Sequence, residues 1–289
     1  MTEFALSGCV AVVTGASRGV GKGIALELGI AGATVYVTGR SKAEGDGPKV
    51  FNETLPGTVF ATADEITALG GRGIAIALDH HDDVAVEALF ERVSAEHGRL
   101  DVLVNNAFYV PPELLSGKPF WELEPTFWDE ITDVGMRSTY VASVFGSRLM
   151  VAAGRGLIVN TSSPGGGNFS MTTAYGVGKV AVDRMTFDMA HELRDHGIAV
   201  ISLWLGLIST ERTQVAVKHV PQFVLTDAES PRFVGRGVVA LATDPRVIDQ
   251  TGRVLYTAEL GTTYGFSDID GHHPPSRRAE FGAPPVFRA

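Results

Sequence analysis

Short apolar runs alternate with segments of helical periodicity along most of the chain. The apolar runs are rich in β-branched residues and predict buried strands at 9–14, 34–38, 73–78, 100–105, 156–161, 198–203 and 254–257. Apolar residues recur every three or four positions at 20–31, 84–97, 128–152, 175–195 and 233–243, which predicts helices there. Strands that alternate with helices form parallel crossover units. The pattern therefore predicts an α/β fold in which one doubly wound parallel sheet carries helices on both faces.

Three polar stretches interrupt this alternation. Residues 41–59 combine charged residues with Gly and Pro, and residues 108–125 are rich in proline. Both stretches are expected to be loops inserted into the domain. Residues 261–289 lack periodicity and are expected to form a C-terminal extension that packs on the domain. Since no repeat or low-complexity linker is visible, residues 1–260 are expected to form one domain.

The charge balance and the cysteine count narrow the class of protein. Basic residues number 24 and acidic residues 33, which gives a net charge of −9. An acidic chain without a basic block is not expected to bind nucleic acid or an anionic membrane. The single cysteine, Cys9, excludes an intramolecular disulfide and a cysteine-based metal site. No secretory leader and no long apolar segment are visible, so a cytoplasmic protein without a membrane partner is expected.

A glycine-rich stretch connects the first predicted strand to the first predicted helix. Its candidate cofactor-binding residues are Gly15, Ser17, Arg18, Gly19, Val20 and Gly21. Glycines at such a turn let the backbone approach a pyrophosphate, and the helix N-terminus offers free N–H groups to the phosphate oxygens. The stretch predicts a Rossmann-type dinucleotide site, and the alternative is a tight turn without a ligand.

The end of the second predicted strand bears on which dinucleotide binds. Arg40 stands there in place of the acid that usually binds the adenosine ribose. With Arg18 it can bind a 2′-phosphate through charge-assisted hydrogen bonds, so NADP(H) is the expected cofactor. NAD(H) is the alternative, because both arginines can be solvated and Glu44 or Asp46 can replace the missing acid. Asp79 ends the third strand, where it is expected to bind the adenine amine or, alternatively, to cap a loop or helix.

Tyr175 and Lys179 are candidates for acid–base chemistry. They lie four residues apart on a predicted helix and therefore share one face. An ammonium beside a phenol favours the phenolate, so Lys179 is expected to lower the pKa of Tyr175. Ser162 and Ser163 follow a predicted strand at the edge where such sheets bind ligands, and a hydroxyl there can orient a substrate oxygen. The alternatives are an exposed Tyr–Lys pair and serines that only cap a turn.

These motifs occur together and in one order along about residues 8–260. The glycine stretch 14–21, Asn105-Asn106-Ala107, the serine pair and Tyr175-x-x-x-Lys179 resemble the short-chain dehydrogenase/reductase superfamily, and within it the branch of dehydrogenase/reductase family member 1. The resemblance implies an NAD(P)-dependent oxidoreductase that transfers hydride between the nicotinamide and a small-molecule carbonyl or secondary alcohol. It also implies a homodimer or homotetramer that pairs helices 128–152 and 175–195.

The resemblance also implies roles for individual residues. Tyr175 is the implied general acid–base, and Lys179 lowers its pKa and binds the nicotinamide ribose. Ser163 is preferred to Ser162 for binding the substrate oxygen, although Ser162 has the usual spacing to Tyr175. Asn105 is expected to tie strands together. The remaining implied cofactor contacts are Asn106 beside the adenosine ribose, and Ile208 and Thr210 beside the carboxamide or pyrophosphate.

Three positions depart from the family pattern. Gly135 stands where an asparagine normally completes a proton relay, Phe108 replaces a glycine, and Leu205 replaces a proline. Water is expected to reach Lys179 through the space that Gly135 leaves, so that Gly135→Asn would change the rate only modestly. The missing asparagine leaves a catalytically silent dinucleotide sensor as an alternative. A nucleotide-sugar enzyme is a further alternative, but it would need a larger C-terminal domain.

Three other features have both a functional and a structural interpretation. The acidic and histidine cluster 79–83 resembles a set of metal ligands, but no second cluster completes it, so a solvated helix start without a metal is expected. Residues 215–225 lie where the family often carries a mobile substrate lid, and the alternative is a surface helix. Aromatic residues expected near the ligand-binding edge form either an apolar substrate pocket or ordinary core. They are Phe108, Phe120, Trp121, Phe127, Trp128 and Phe169.

Overall fold

A computed structural model describes residues 4–288, which form one seven-stranded sheet, a small hairpin and the surrounding helices. The strands are β1 (Val10–Val13), β2 (Thr34–Gly39), β3 (Lys49–Val50), β4 (Glu53–Thr54), β5 (Arg72–Ala77), β6 (Val102–Asn105), β7 (Gly156–Ser162), β8 (Ile198–Trp204) and β9 (Val254–Tyr256). The helices are α1 (Gly19–Ile30), α2 (Val59–Ala68), α3 (Asp83–His97), α4 (Thr126–Thr132), α5 (Ser138–Ala153), α6 (Thr173–Leu193), α7 (Glu211–His219), α8 (Pro231–Thr243), α9 (Thr257–Tyr264) and α10 (Arg278–Phe281).

The order of the strands determines where a ligand can bind. All neighbouring strands of the main sheet are parallel, in the order β5-β2-β1-β6-β7-β8-β9. The chain builds outward from β1 to β5 and then returns to β6 on the other side of β1. This reversal leaves a cleft at the carboxyl ends of β1 and β6, where doubly wound sheets bind ligands. The predicted fold class, a doubly wound parallel sheet of Rossmann type, is confirmed.

Two apolar layers cover the two faces of the sheet. On one face, Ala11 and Val13 of β1 pack in a core that includes α1, α2 and α8. On the other face, Val10 and Val12 of the same strand pack with α3, α5 and α6. Successive side chains of a strand point to opposite faces, so a strand that is apolar throughout supports both layers. The layers hold the strand ends, and thus the site residues that follow them, in fixed positions.

The helix predicted over 128–152 is interrupted in the structure. α4 ends at Thr132, a segment of wider turns covers Asp133–Arg137, and α5 begins at Ser138. Within this segment Gly135 has a φ of +143°, which L side chains rarely adopt. The apolar periodicity continues on both sides of the break, which is why the pattern predicted a single helix.

The stretch 41–59 contains the hairpin β3–β4 and ends where α2 begins. The sequence pattern did not predict α2, whose first turn is capped by the Thr58 side chain. The hairpin also contacts α7. The Glu53 carboxylate accepts a hydrogen bond from Lys218 Nζ at 2.9 Å and lies 3.0 Å from His219 Nε2. The inserted stretch therefore connects the region after β2 with the helix expected to form the substrate lid.

The C-terminal extension lies against β9, α9 and α6. The predicted domain boundary at residue 260 falls inside α9. Beyond that helix, the Tyr256 hydroxyl donates a hydrogen bond to the carbonyl oxygen of Gly282 at 3.0 Å. The ring centroids of Phe287 and Phe187 lie 5.9 Å apart, which brings the end of the described chain onto α6.

Among the helices within residues 4–288, none is both long and apolar enough to cross a bilayer. The cytoplasmic location and the lack of a membrane partner stay predictions from composition.

Candidate active site

Ser163 and Tyr175 meet at the carboxyl end of β7. Ser163 follows β7 directly, and Tyr175 lies in the first turn of α6, which Thr172 caps by accepting a hydrogen bond from the Tyr175 N–H. The Ser163 Oγ and the Tyr175 Oη are 2.8 Å apart. Ser162 instead donates to the carbonyl oxygen of Lys179 at 3.3 Å. The structure thus places Ser163, and not Ser162, beside the phenol, where both hydroxyls can contact one substrate oxygen.

The Tyr175 phenol is buried and protonated at neutral pH. Burial raises its pKa, and the hydrogen bond with Ser163 opposes this only in part. The sequence predicted that Lys179 lowers this pKa, but the Lys179 Nζ lies 5.8 Å from the centroid of the Tyr175 ring. In this conformation, therefore, the phenol is a proton donor, which suits the reduction of a carbonyl.

Lys179 lies one turn after Tyr175 on α6. Burial lowers the pKa of its ammonium to about 8, and the nearby Asp183 carboxylate opposes that shift. The Nζ lies 4.5 Å from the centroid of the Phe108 ring. Burial thus brings the titration of this lysine closer to neutral pH than that of an exposed lysine.

Asp183 extends the line of Tyr175 and Lys179 by one further helical turn, and sequence reasoning missed it. Its carboxylate is buried and accepts hydrogen bonds from Ser202 Oγ at 2.7 Å and Trp204 Nε1 at 2.8 Å. Burial raises its pKa, while these hydrogen bonds and Lys179 lower it. The carboxylate thus links α6 to β8 through hydrogen bonds, one helical turn after Lys179. Its spacing, four residues after Lys179, is the signal that would have found it.

The glycine-rich loop lies between β1 and α1 and is held by the end of β6. Gly15 has a φ of +65°, and a Cβ on it would lie 2.7 Å from the Cα of Ala107. Asn106 Nδ2 donates to the carbonyl oxygens of Thr14 and Gly15 at 3.0 and 3.1 Å. Asn106 thereby holds the loop backbone in place. Asn105 donates instead to Asn160 Oδ1 at 2.8 Å, which ties β6 to β7.

The side-chain carboxylate of Glu211 lies at the N-terminus of α1 in this structure. The Gly19 N–H donates to Glu211 Oε2 of α7 at 2.9 Å. A helix N-terminus binds negative charge through its free N–H groups and its dipole. Gly21 adds to the close fit, since a Cβ there would lie 2.4 Å from the Gly15 carbonyl oxygen. The carboxylate thus marks a place where a cofactor phosphate oxygen would find the same donor, with Ser17 and Val20 in the same loop.

The two arginines predicted to bind a 2′-phosphate differ in their contacts. Arg40 is exposed at the mouth of the cleft, with Nη1 3.7 Å from Asp79 Oδ2. Arg18 donates to Ser41 Oγ at 2.8 Å and to the carbonyl oxygen of Gly57 at 2.6 Å. Arg18 therefore holds the inserted stretch, whereas Arg40 is available to a ligand. Asp46, an alternative acid for the ribose, caps its own turn by accepting backbone hydrogen bonds.

The cleft that these residues line has a volume of about 1020 Å³. It extends from the glycine loop past Arg40 and Asp79 to Phe108 and Thr210. Pockets of several hundred cubic ångströms or more suffice for small ligands and cofactors. The cleft is therefore large enough for a dinucleotide along the carboxyl edge of β2, β1 and β6.

The segment after β8 is held by a buried carboxyl that sequence reasoning also missed. Glu229 accepts hydrogen bonds from the Gly206 N–H at 3.1 Å and from Thr257 Oγ1 at 2.6 Å. Burial raises the pKa of Glu229 to about 7. Ile208 pairs with Glu229 in an isolated parallel bridge, and Thr210 then caps α7. Glu229 thus fixes the segment in which two cofactor contacts were predicted.

The cluster 79–83 is not a fully solvated helix start. His80 is buried, and its Nε2 lies 2.7 Å from Thr38 Oγ1. Burial lowers its pKa to about 4, so the ring is neutral. The residue that caps α3 is Asp82, whereas the sequence had offered Asp79 as the capping alternative. Within residues 4–288, no group of three or more histidine, cysteine or acidic side chains is placed to hold a metal.

The aromatic residues divide between a buried cluster and the surface. Phe108 and Phe127 pack with Tyr175 and Leu114 in an apolar cluster beside the hydroxyl pair. The other predicted aromatics are exposed, and these are Phe120, Trp121, Trp128 and Phe169. Two rings thus form core, as one interpretation predicted, whereas the four exposed rings fit neither interpretation. The expected lid region contains α7, which ends at His219, before Pro221.

Comparison with known proteins places the sequence among dehydrogenases. The family model described as short chain dehydrogenase matches residues 9–220. Over 279 residues the chain is 47% identical to dehydrogenase/reductase SDR family member 1 of Mus musculus, covering 92% of this chain and 85% of that protein. It is 43% identical over the same lengths to the protein of that name in Homo sapiens.

More distant matches cover most of the chain as well. A 3-oxoacyl-[acyl-carrier-protein] reductase of Synechocystis is 31% identical over 87% of this chain and 96% of that protein. Among solved structures, a putative dehydrogenase from Xanthomonas campestris superposes with a TM-score of 0.78 at 25% identity, covering 93% of this chain and 94% of the other. The likeness therefore extends over sequence and fold alike.

Proposed function

The chain belongs to the short-chain dehydrogenase/reductase family of oxidoreductases, and we propose that it is an NADP(H)-dependent enzyme that interconverts a carbonyl and a secondary alcohol. The observation that carries the proposal is the 2.8 Å contact between Ser163 Oγ and Tyr175 Oη at the ligand-binding edge of the sheet. A carbonyl oxygen placed between these hydroxyls would accept hydrogen bonds from both. Lys179 follows one turn later on the same helix face.

Each of the three side chains has one part in the proposed reaction. Bound NADPH supplies the hydride for the carbonyl carbon. Ser163 orients the carbonyl oxygen and stabilises the negative charge that develops on it. Tyr175 donates its phenolic proton to that oxygen. The Lys179 ammonium, which in this conformation lies 5.8 Å from the ring centroid and does not lower the phenol pKa, would approach the phenolate once the proton has left and stabilise it there. In the reverse direction, the Tyr175 phenolate accepts the proton of the alcohol.

The residues around the glycine loop fit a dinucleotide. Gly15 and Gly21 leave room for the backbone to approach a pyrophosphate, and the Gly19 N–H already binds the Glu211 carboxylate. The proposed cofactor contacts are Gly15, Ser17, Arg18, Gly19, Val20 and Gly21 of the glycine-rich stretch, together with Arg40, Asp79, Asn106, Tyr175, Lys179, Ile208 and Thr210. Glu211 would leave the Gly19 N–H when a phosphate takes its place, because both anions need the same donor.

The preference for NADPH rests on Arg40, so Arg40→Ala is expected to weaken NADPH about tenfold and NADH little. A charge-assisted hydrogen bond contributes about 1.5–3 kcal/mol, and we expect the lower end because the Arg40 side chain is 62% exposed. Binding of both cofactors is measured by fluorescence titration. Arg92→Ala, which removes an exposed arginine on α3, is the matched control. Equal losses for NADPH and NADH in Arg40→Ala would refute the preference.

The substrate is proposed to be a small molecule with an apolar body beside its carbonyl group. Leu114, Phe127 and Ile131 are buried in an apolar cluster that packs against Tyr175, so the surroundings of the phenol are apolar. Assays of aliphatic, aromatic and polar carbonyls with NADPH, followed at the nicotinamide absorbance, test the activity and its substrate range. A protein that binds NADPH tightly and reduces none of them would support a dinucleotide sensor, the alternative suggested by Gly135.

A homodimer or homotetramer that pairs α5 and α6 is the proposed assembly. Tyr140 and Val151 of α5 and Val177 of α6 are exposed apolar side chains on these helices. Light scattering at micromolar concentration is expected to give a dimer or tetramer, and Tyr140→Glu is expected to shift the protein toward monomer. A monomeric wild-type protein would contradict this assembly.

A further inference from the structure

Phe108 and Gly135, two of the three departures from the family pattern, are in contact. A Cβ added to Gly135 would lie 2.5 Å from Phe108 Cδ2 and 3.0 Å from Cε2. Real side chains do not approach this closely, so the ring and a side chain at position 135 exclude each other. The φ of +143° at Gly135 separately disfavours any side chain there. The Phe108 ring thus occupies the space in which the sequence predicted a water.

The ring of Phe108 also faces the catalytic candidates. Lys179 Nζ lies 4.5 Å from its centroid, within the range of a cation–π interaction. Tyr175 meets the same ring edge to face, with centroids 6.0 Å apart. Phe108 therefore contacts Gly135, Lys179 and Tyr175 at once. An ammonium group is normally solvated by water or paired with an anion. Its position over the Phe108 ring therefore indicates a cation–π contact and not apolar packing alone.

We propose that Phe108 is the positioning residue that takes over from the missing asparagine: its ring holds the Lys179 ammonium beside Tyr175, and Gly135 provides the room that the ring needs. This inference rests on the proposed function, in which Lys179 stabilises the Tyr175 phenolate. The attraction between ring and ammonium favours the charged lysine, and it opposes the effect of burial. Phe108 acts through Lys179 and takes no part in proton transfer itself.

The charged groups around Lys179 determine how it titrates. On α6, the Tyr175 phenol and the Asp183 carboxylate face it, and Asp183 favours the charged form. From the other elements packed against it, the Phe108 ring is the contact that faces the ammonium, and within residues 4–288 Asp183 is the only charged group that shifts its pKa. The Phe108 ring is thus a contact that can be altered without changing the charge of any of these neighbours.

The first test measures the titration of Lys179 in the cofactor-free protein. Amine-modifying reagent is applied over a range of pH, and modification of Lys179 is followed by peptide mass spectrometry. Phe108→Leu keeps an apolar side chain but removes the ring, so the half-point of modification is expected to fall by about half to one pH unit. Phe108→Tyr keeps the ring and is expected to keep the wild-type half-point.

This measurement separates the inference from the proposed function, because it needs no turnover. An unchanged half-point in Phe108→Leu would overturn the positioning role even if the enzyme reduces carbonyls. If the half-point falls but the wild type reduces no carbonyl, the ring–lysine contact is upheld and the proposed function fails. In an active enzyme, the alkaline limb of the pH profile of kcat/KM is expected to move in the same direction as the half-point.

The second test changes Gly135 and Phe108 to the residues that the family pattern has at these two positions. The sequence predicted only a modest effect of Gly135→Asn, but the structure replaces that expectation: the variant alone is expected to lower kcat/KM about a hundredfold or more, because its side chain collides with the Phe108 ring. Adding Phe108→Gly removes the collision and lets the asparagine approach Lys179. The double variant is therefore expected to be at least about tenfold more active than Gly135→Asn alone. A double variant no better than Gly135→Asn, with both proteins folded by circular dichroism, would overturn the exchange of roles.

Discussion

Tyr175→Phe is expected to lower kcat for carbonyl reduction by about a hundred- to ten-thousandfold, which is the usual contribution of a positioned acid–base group. The substitution removes the proton donor and the partner of Ser163, whose Oγ lies 2.8 Å from the phenol oxygen. The phenyl ring keeps its packing against Leu114 and Phe127, so the fold is expected to persist. Turnover is followed at the nicotinamide absorbance, and NADPH binding by fluorescence titration is expected to stay near the wild-type value.

A matched control distinguishes loss of the proton from general disturbance by removing a tyrosine hydroxyl. Tyr264 in α9 donates its hydroxyl to Asp244 Oδ2 at 2.7 Å, away from the cleft. Tyr264→Phe removes the same group and is expected to leave kcat nearly unchanged. Tyr175 is not the acid–base group if Tyr175→Phe keeps most of the rate. Loss of NADPH binding in Tyr175→Phe would instead indicate that the cofactor site was disturbed.

The parts of the molecule that depend on local sequence were predictable. The buried strand β1 is a continuous apolar run and β8 is apolar except for Ser202, and the pattern located both because two covered faces require such runs. The glycine loop was recognisable because the backbone conformation at Gly15 requires glycine. Lys179 and Tyr175 share a face because helix geometry places residues four apart together.

The parts set by contacts between distant segments were not predictable. At the break in the helix, Gly135 contacts Phe108, which lies 27 positions earlier in the sequence. Arg18 was predicted to bind phosphate, but in the structure it bonds carbonyl oxygens of the inserted stretch, whose fold has no local pattern. Asp183 is the opposite case. It follows the helical period of Tyr175 and Lys179 within α6, so its inward position could have been predicted from the local sequence.

Glu229 is the clearest example of a residue whose position the local sequence does not predict. It occurs in the polar stretch 226–230, which has the composition of a surface loop. Its burial depends on Gly206 and Thr257, which come from the end of β8 and the start of α9. A Cβ on Gly206 would lie 2.6 Å from Glu229 Oε1, so the glycine is part of the site that encloses the carboxyl. The local sequence around Glu229 gives no indication of these distant partners.

The stability of the protein is expected to depend on pH through Glu229, and Glu229→Gln is expected to remove this dependence. Burial raises the folded-state pKa from 4.5 to about 7. The folded state therefore binds a proton that the unfolded state has already released, and stability falls as pH rises through this window. A shift of this size corresponds to about 3 kcal/mol, lost between about pH 4.5 and pH 7. Urea unfolding of both proteins across this range measures the loss.

The difference between the two proteins isolates this one group, because every other titratable residue is common to both. The stability of Glu229→Gln relative to wild type is expected to increase with pH and to level off above about pH 7, since glutamine stays neutral throughout. Glu259→Gln is the matched control: hydrogen bonds from Arg278 lower the pKa of Glu259, so its difference from wild type is not expected to grow over this window. A constant difference for Glu229→Gln would mean that Glu229 ionises in the folded protein as it does in the unfolded chain. The segment around Gly206 would then be held by an ordinary carboxylate, and its attachment to β8 would not weaken as the pH rises.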